Sequence, residues 1–328
     1  MNTMEKQPLI EVEHLKKYFY KKKGFLSKEQ EVLHAVDDVS LKVMPGVTVG
    51  LVGESGCGKS TLGRTILKLY SPTEGIIRFK GEDITSYDTA RMRRLRTSMQ
   101  MIFQDPFNSL NPRKINFDSV KSALDNTKMP ENEKNEKVAE MLSYVGISQE
   151  NFFKFPHELS GGQRQRVVIA RAMVSSPEFI VCDEPVSALD VSVRSQVLNL
   201  MKDIQVKRGL SYLFISHDMS VINFLCDEIA VMYLGQIVEY ADRKELFANP
   251  LHPYTKALLS SIPLPDVDRK RNRIILSGDI PSPSNPPRGC RFHTRCPYAT
   301  ESCTEQAPVL KDAGNGHLAA CSRLQEIG

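Results

Sequence analysis

The sequence lacks long apolar runs. No stretch reaches the roughly 18 uninterrupted apolar residues that a membrane-spanning helix requires. The opening residues, MNTMEKQPLIEVEHL, also lack the continuous apolar core of a signal peptide. These two absences predict a soluble, cytoplasmic chain. Its 328 residues, of which 41% are hydrophobic, are enough for one large domain, or for a domain with an appendage, around a sizeable core.

A large excess of charge of either sign is also absent. The chain has 43 basic and 39 acidic residues, which gives a net charge of +4 at pH 7. The local basic run from Lys21 to Lys23 is more typical of a solvated loop than of a surface that binds nucleic acid. The charge balance therefore predicts no nucleic-acid partner. The sequence contains no internal repeat and no low-complexity tract.

Cysteines are few, and four of the seven lie close together near the end of the chain. In a reducing compartment this clustering favours a metal over disulfides. The spacing C-x5-C-x6-C-x17-C lacks the paired C-x2-C knuckles that are typical of structural zinc. Four thiolates suit either tetrahedral zinc or a 4Fe–4S cluster, and the spacing leaves both open. The four candidate ligands are Cys290, Cys296, Cys303 and Cys321.

Short apolar runs alternate with helical patterns along most of the chain, which predicts an α/β fold. An apolar strand over residues 47–52 precedes a glycine-rich loop and an amphipathic helix. The runs EFIVCDEP and SYLFISHD end in polar residues, which in an open α/β sheet lie at the carboxyl edge, where ligands bind. Residues from about 105 to 174 have mainly helical patterns. After Ala248 the chain contains one proline-bracketed helical pattern and then too much proline for a helix or central strand, so we expect an irregular appendage.

The segment GESGCGKS matches the phosphate-binding pattern G-x-x-x-x-G-K-S/T. Its glycines allow backbone N–H groups to wrap phosphate oxygens, while Lys59 reaches the β and γ phosphates and Ser60 ligates Mg²⁺. A strand before the loop and a helix after it provide the context that this motif requires. The predicted ATP-binding residues in this loop are Gly53, Glu54, Ser55, Gly56, Cys57, Gly58, Lys59, Ser60 and Thr61.

Two adjacent carboxylates end the apolar run FIVCDE. We expect Asp183 to hold the magnesium shell and Glu184 to orient and activate water for in-line attack on the γ phosphate. Combined with the phosphate loop, this pair predicts a nucleoside triphosphatase.

A second anion site is predicted at LSGGQ, residues 159–163, directly before the helical pattern RQRVVIARAMV. A serine N-cap and bare glycine amides at the start of a helix suit an anion. Two anion sites in one chain indicate either a second phosphorylated substrate or a site shared between two chains.

The ordered motifs GESGCGKST, FQDP, LSGGQ, FIVCDEP, SALD and ISHD resemble those of the ATP-binding subunits of ABC transporters. The resemblance implies a RecA-like P-loop core with an antiparallel β subdomain and an inserted helical subdomain. It implies an ATP-binding domain over residues 1–250 and a Cys-rich extension over 251–328. Within the domain, the implied core covers about 1–105 and 172–250, and the implied helical subdomain about 106–171.

The same resemblance implies roles for individual residues. Phe19 would stack on adenine, Gln104 would link magnesium and the attacking water to the membrane partner, and His217 would contact the γ phosphate. Glu184, His217 and Gln104 form the implied catalytic set, and Ser60, Gln104 and Asp183 the implied magnesium ligands. The residues expected at the interface with a second subunit, where the signature segment caps the opposite ATP, are Ser160, Gly161, Gly162, Gln163 and Asp190.

The segments QDPFNSLNPR, NPLHPYTKALLSSIP and PSPSNPPRGCRFHTRCPYA extend the resemblance to the ATPases of oligopeptide and dipeptide importers. This implies ATP hydrolysis that powers peptide import at the cytoplasmic face of the membrane. The implied partners are a second ATP-binding subunit, two transmembrane permease subunits and an extracytoplasmic peptide-binding protein. Import of nickel, opines or another small solute, and a soluble ABC ATPase without a transport role, are the alternatives. Some ATPases of this group carry an iron–sulfur cluster in the tail, so the resemblance favours 4Fe–4S over zinc.

Overall fold

The computed structural model describes residues 7–22, 30–262 and 274–327, and these contain twelve strands and twelve α-helices. The strands are β1 (Ile10–Lys22), β2 (Gln30–Val43), β3 (Thr48–Val52), β4 (Glu74–Phe79), β5 (Glu82–Asp83), β6 (Met99–Ile102), β7 (Phe179–Asp183), β8 (Ser211–Ser216), β9 (Glu228–Tyr233), β10 (Gln236–Asp242), β11 (Lys311–Asp312) and β12 (Leu318–Ala319). The helices are α1 (Lys59–Ile66), α2 (Thr89–Leu95), α3 (Pro106–Ser109), α4 (Asn116–Lys121), α5 (Glu131–Tyr144), α6 (Gly161–Met173), α7 (Val191–Arg208), α8 (Met219–Leu225), α9 (Arg243–Ala248), α10 (Pro253–Ser260), α11 (Ser302–Glu305) and α12 (Leu324–Ile327).

The chain forms two compact units, each assembled from segments that are separated in sequence. In the described residues, unit 1 comprises 7–9, 43–47 and 86–214, and unit 2 comprises 10–22, 30–42, 48–85, 215–262 and 274–327. Unit 2 therefore contains the phosphate loop (residues 53–61) and the tail (residues 251–262 and 274–327). Unit 1 contains the signature segment (residues 159–163) and the carboxylate pair Asp183 and Glu184. The boundaries predicted at about residues 105, 171 and 250 stay predictions.

Unit 2 contains a four-stranded sheet in the order β2-β1-β4-β5. Strand β1 pairs antiparallel with β4, which pairs antiparallel with β5. The segment GIIRFKGEDI therefore forms a short hairpin.

Unit 2 also contains β3, which pairs in parallel with β9. All five residues of β3 are buried, as is typical of a strand that is covered on both faces. Strand β10 pairs antiparallel with β9, and β12 pairs antiparallel with both β10 and β11. The tail thus adds strands to the unit, and the prediction of an irregular appendage is wrong for this part. Strands of two residues are too short to show an alternating pattern in the sequence.

Unit 1 pairs β6 and β7 in parallel and contains the helices α3 to α6 in the region with the predicted helical patterns. Helix α6 buries a nearly continuous apolar segment that includes Val167, Val168 and Ile169. Helix α7 begins after the N-cap Asp190 and ends before the C-cap Gly209, whose φ of 62° is the left-handed conformation that commonly ends helices.

The predicted proline-bracketed helix of the tail is α10. The His252 side chain accepts a hydrogen bond from the backbone N–H of Tyr254 at 3.1 Å, and Pro253 occupies the first helical position. Tyr254 points into the core of unit 2 and is fully buried.

Candidate active site

The phosphate loop connects β3 to α1, as the sequence predicts. Gly56 and Gly58 have backbone φ angles of 78° and 108°, which residues other than glycine rarely adopt. A Cβ atom on Gly58 would lie 2.0 Å from the carbonyl oxygen of Ala35, and one on Gly53 would lie 2.1 Å from that of Met232. The two glycines that frame the pattern are therefore required by close packing against neighbouring backbone.

Lys59 is buried in this loop. Its Nζ donates hydrogen bonds to the carbonyl oxygens of Gly53 and Glu54, at 2.7 and 2.8 Å. These contacts hold the ammonium group inside the loop, where it can meet an anion. Ser60 follows it in the first turn of α1. Burial raises the pKa of the neighbouring Cys57 thiol, which favours its neutral form.

The carboxylate pair lies at the end of β7 in unit 1. Asp183 is fully buried as the last residue of the strand. Glu184 follows it with a backbone φ of 47°, a left-handed conformation that is uncommon for a residue other than glycine. The Gln104 side chain donates a hydrogen bond from Nε2 to Glu184 Oε2 at 3.0 Å. Unit 1 therefore brings together two residues of the predicted catalytic set.

The signature segment has the predicted helix-start geometry. Ser160 caps α6 by accepting a hydrogen bond from the N–H of Gln163 at 3.3 Å, and the Gln163 side chain accepts one from the N–H of Ser160 at 3.1 Å. Gly161 and Gly162 form the first turn, and a Cβ on Gly162 would lie 2.3 Å from Val193 Cγ1.

Asp190 lies at the start of α7. Its carboxylate accepts a hydrogen bond from the N–H of Val193 at 2.9 Å, and this bond lowers the pKa of Asp190. Asp190 therefore carries a negative charge at the exposed start of a helix.

Phe19 lies on β1 and is half-buried. Its ring packs edge-on against Tyr70 with a centroid distance of 5.5 Å, and Lys17 Nζ lies 4.8 Å from its centroid. His217 directly follows β8, and the next residue, Asp218, caps α8. Both predicted residues belong to unit 2, with the phosphate loop.

The four tail cysteines line one small cavity in unit 2. Its volume of about 20 Å³ has room for roughly one water-sized atom. Burial raises the pKa of Cys290 to about 11, which favours the thiol over the thiolate that a metal requires.

The described residues contain no group of three or more His, Cys, Asp or Glu side chains that is placed to hold a metal ion. The structure therefore does not support the predicted 4Fe–4S or zinc centre. The cavity that the four thiols share is smaller than a cubane cluster, and burial favours the protonated form of Cys290.

Sequence reasoning missed two residues that contact the phosphate loop. Tyr254 accepts a hydrogen bond from the backbone N–H of Glu54, and Arg295 pairs with the Glu54 carboxylate. Both residues belong to the part of the tail that carries no nucleotide motif, so only the folded structure reveals them.

Comparison with known proteins identifies the family. Residues 36–187 match the family described as ABC transporter, and residues 238–303 match the oligopeptide/dipeptide transporter C-terminal region. The chain is 50% identical over 325 residues to the oligopeptide transport ATP-binding protein AppF of Bacillus subtilis, covering 98% of this chain and 99% of that protein. The chain belongs to the ATP-binding proteins of oligopeptide/dipeptide ABC transporters.

A second relative and two solved structures are also similar to this chain. The dipeptide transport ATP-binding protein DppF of Escherichia coli is 47% identical, covering 99% of this chain and 98% of that protein. Among solved structures, cbiO1 of Clostridium perfringens, part of the ABC transporter complex cbiONQ, matches with a TM-score of 0.65 and 29% identity over 74% of this chain and 92% of that one. The ATP-binding cassette MJ0796, solved as a dimer bound to ADP and Pi, matches with a TM-score of 0.63 and 25% identity over 71% and 98%.

These matches confirm the predicted α/β P-loop cassette fold of an ABC ATPase. In the described part of this family member, no helix is both long and apolar enough to cross a membrane.

Proposed function

We propose that this chain hydrolyses ATP to power the import of oligopeptides or dipeptides through an ABC transporter. The near full-length match to AppF carries this proposal, because it includes both the nucleotide motifs and the peptide-transporter tail. The buried Lys59 ammonium within a glycine-framed loop supports the nucleotide part.

Different groups of the predicted site residues bind the phosphates, the adenine and the magnesium ion. The loop from Gly53 to Thr61 binds the phosphates, and Phe19 stacks on adenine. The side chains of Ser60, Asp183 and Gln104 offer the hard oxygen ligands that Mg²⁺ prefers, and the ion, when bound, neutralises charge on the phosphates.

Glu184 accepts a proton from the attacking water and is oriented for this by the 3.0 Å hydrogen bond from Gln104. His217 contacts the γ phosphate.

We also propose that two such subunits close head to tail around two ATP molecules. The capped start of α6, from Ser160 to Gln163, presents backbone amides to the ATP of the opposite subunit. Asp190 lies at the dimer contact. The dimer binds two permease subunits at the cytoplasmic face of the membrane, and an extracytoplasmic binding protein delivers the peptide.

For the domain organisation we propose an ATP-binding domain over residues 1–250 and a peptide-importer extension over 251–328. Within the first, the RecA-like core and an antiparallel β subdomain cover about 1–105 and 172–250, and the helical subdomain covers about 106–171. The four-stranded sheet, in which β4 pairs antiparallel with β1 and β5, and the helices α3 to α6 support this division.

Purification from membranes tests the transport role against a soluble ABC ATPase. The tagged chain, extracted from membranes under mild conditions, should bring with it two membrane permeases and a homologous ATP-binding subunit or a second copy. Recovery only from the soluble fraction, with ATPase activity that nucleic acid stimulates, would contradict the transport proposal.

We propose, finally, that the tail cysteines bind a 4Fe–4S cluster or, alternatively, zinc, after the side chains rearrange. Support comes from the fold, which brings Cys290, Cys296, Cys303 and Cys321 to one place although they are spread along the sequence. Anaerobic purification followed by metal analysis and absorbance at about 400 nm distinguishes the two metals. A fully folded, active protein that contains neither iron nor zinc would overturn this proposal.

A further inference from the structure

Glu54, the second residue of the phosphate loop, is held by two residues of the tail. Arg295 Nη1 donates to Glu54 Oε2 at 2.7 Å, and Arg295 Nη2 donates to Glu54 Oε1 at 3.1 Å. The hydroxyl oxygen of Tyr254 accepts a hydrogen bond from the Glu54 backbone N–H at 2.8 Å. These partners lie 241 and 200 residues away in the sequence and belong, like the loop, to unit 2.

The ion pair between Arg295 and Glu54 has a fixed geometry. Two parallel hydrogen bonds between a guanidinium and a carboxylate define direction as well as distance. The Arg295 side chain is only 7% exposed, and its hydrogen bonds to Glu54 raise the pKa of Arg295. The guanidinium therefore stays charged and holds the carboxylate in one orientation.

The hydrogen bond between the Glu54 N–H and the Tyr254 hydroxyl is also held in place, because the tyrosine ring is packed on several sides. Tyr254 is fully buried, and its ring packs against Tyr233 and Phe292 with centroid distances of 4.8 and 5.5 Å. Because Phe292 lies in the same tail segment as Arg295, both contacts to Glu54 belong to one packed cluster. The cluster fixes the backbone and the side chain of Glu54 together.

Glu54 passes this restraint to the phosphate-binding lysine. Its carbonyl oxygen accepts a hydrogen bond from Lys59 Nζ at 2.8 Å. One residue is thus tied to the tail by its amide and its carboxylate and to the lysine by its carbonyl.

We propose that Arg295 and Tyr254 are positioning residues that preorganise the phosphate loop, so that ATP affinity depends on the docked tail. This inference rests on the proposed ATPase function and adds a positioning contact to that site. Preorganisation reduces the ordering that ATP binding must otherwise impose on the loop. Loss of the contacts should therefore weaken ATP binding even when the fold is intact.

The same tail segment provides matched controls. Arg291 is as buried as Arg295, at 9% side-chain exposure, but it pairs with Asp37 on β2 instead of the phosphate loop. Arg288 is exposed. Substituting these two arginines removes the same type of side chain without touching Glu54.

The experiment measures the Kd of MgATP, by competition with a fluorescent ATP analogue, and the Tm of each full-length variant. We expect Arg295→Met to raise the Kd about tenfold and Tyr254→Phe to raise it severalfold. Arg291→Met should lower the Tm and leave the Kd within twofold of wild type, and Arg288→Met should change neither. Equal Kd values for Arg295→Met, Tyr254→Phe and wild type would overturn the proposal.

A double-substitution cycle with Glu54→Gln tests the contact itself. Arg295→Met should have little further effect on the Kd in the Glu54→Gln background, because the ion pair is already lost. Fully additive effects would contradict the proposal. Lys59→Ala distinguishes failure of the proposed ATPase function from failure of the positioning role. If Lys59→Ala binds MgATP as wild type does, the phosphate loop assignment fails. If Lys59→Ala loses binding while Arg295→Met binds as wild type does, only the positioning role is refuted.

Discussion

Glu184 combines an uncommon backbone conformation, a preceding buried carboxylate and a hydrogen bond from Gln104. Active sites often hold residues in sparsely populated conformations when the surrounding fold fixes them. The geometry is consistent with a carboxylate that must point in one direction.

We predict that Glu184→Gln keeps MgATP binding and lowers the ATPase rate by about 10²- to 10⁴-fold, because an amide cannot accept the proton of the attacking water. Steady-state phosphate release and equilibrium nucleotide binding measure the two effects separately. Glu140→Gln, an exposed substitution on α5, is the control and should match wild type. Brisk hydrolysis by Glu184→Gln would refute the general-base role.

Lys59→Ala should act on binding instead. Hydrogen bonds from a charged group contribute about 1.5–3 kcal/mol, so we expect the Kd of MgATP to rise about 10- to 150-fold. Isothermal titration measures this directly. Tight binding by the variant would show that Lys59 does not contact the phosphates.

Individual site residues could be predicted where the chemistry lies in a short local pattern. The P-loop, the pair Asp183 and Glu184 and the capped Ser160 are of this kind. Arg295 could not be predicted, because its partner lies 241 residues away and neither residue type in isolation indicates the other. The resemblance implied that Gln104 links magnesium and the attacking water to the membrane partner, whereas its hydrogen bond to Glu184 is seen only in the structure.

At the scale of elements, the tail is attached to unit 2 through the buried carboxylate of Glu239 on β10. This carboxylate accepts hydrogen bonds from the N–H groups of Leu251 and His252, both at 2.8 Å, and lies 2.7 Å from His317 Nε2. His317 Nδ1 lies 3.7 Å from Glu245. Two segments of the tail are thus joined at one side chain.

This arrangement predicts a pH dependence of stability. The contact with Glu239 raises the pKa of His317 above its ordinary value of about 6.5. Its stabilising effect is therefore fully present below about pH 6.5 and is lost as the pH rises through the raised pKa. His252 does not contribute in this window, because burial lowers its pKa to about 4 and it stays neutral.

Melting curves of wild type and His317→Gln, recorded at pH values below and above the raised pKa of His317, test the pH dependence. The Tm difference between the two should be largest near pH 6 and should shrink at higher pH. A difference that does not vary with pH would show that the His317 charge contributes nothing.

Most elements could be predicted from periodicity, including β3, the β4–β5 hairpin and α10. The strands of the tail could not. Pairing of Leu318 and Ala319 with Tyr240 and Glu239 is decided by long-range contacts, and the surrounding sequence KDAGNGHLAACS shows no alternating apolar pattern. The cysteine spacing likewise indicated a metal but could not show that the four thiols line a cavity of only about 20 Å³.

At the scale of the whole molecule, the nucleotide motifs indicate an ATPase, and the tail indicates the type of transporter to which it belongs. The proposed assembly places solute selection in the permeases and the binding protein. This chain should therefore hydrolyse ATP in the assembly at a rate that depends on those partners.

Reconstitution into proteoliposomes tests the central claim most directly. The vesicles contain the co-purified permeases and ATP-binding subunits, with MgATP on the side of the ATP-binding subunits and the binding protein with labelled peptide on the other. We predict that peptide accumulates on the ATP side only when ATP is present, and that Glu184→Gln abolishes this accumulation. Uptake that is the same with and without ATP, or the same with wild type and Glu184→Gln, would contradict the account.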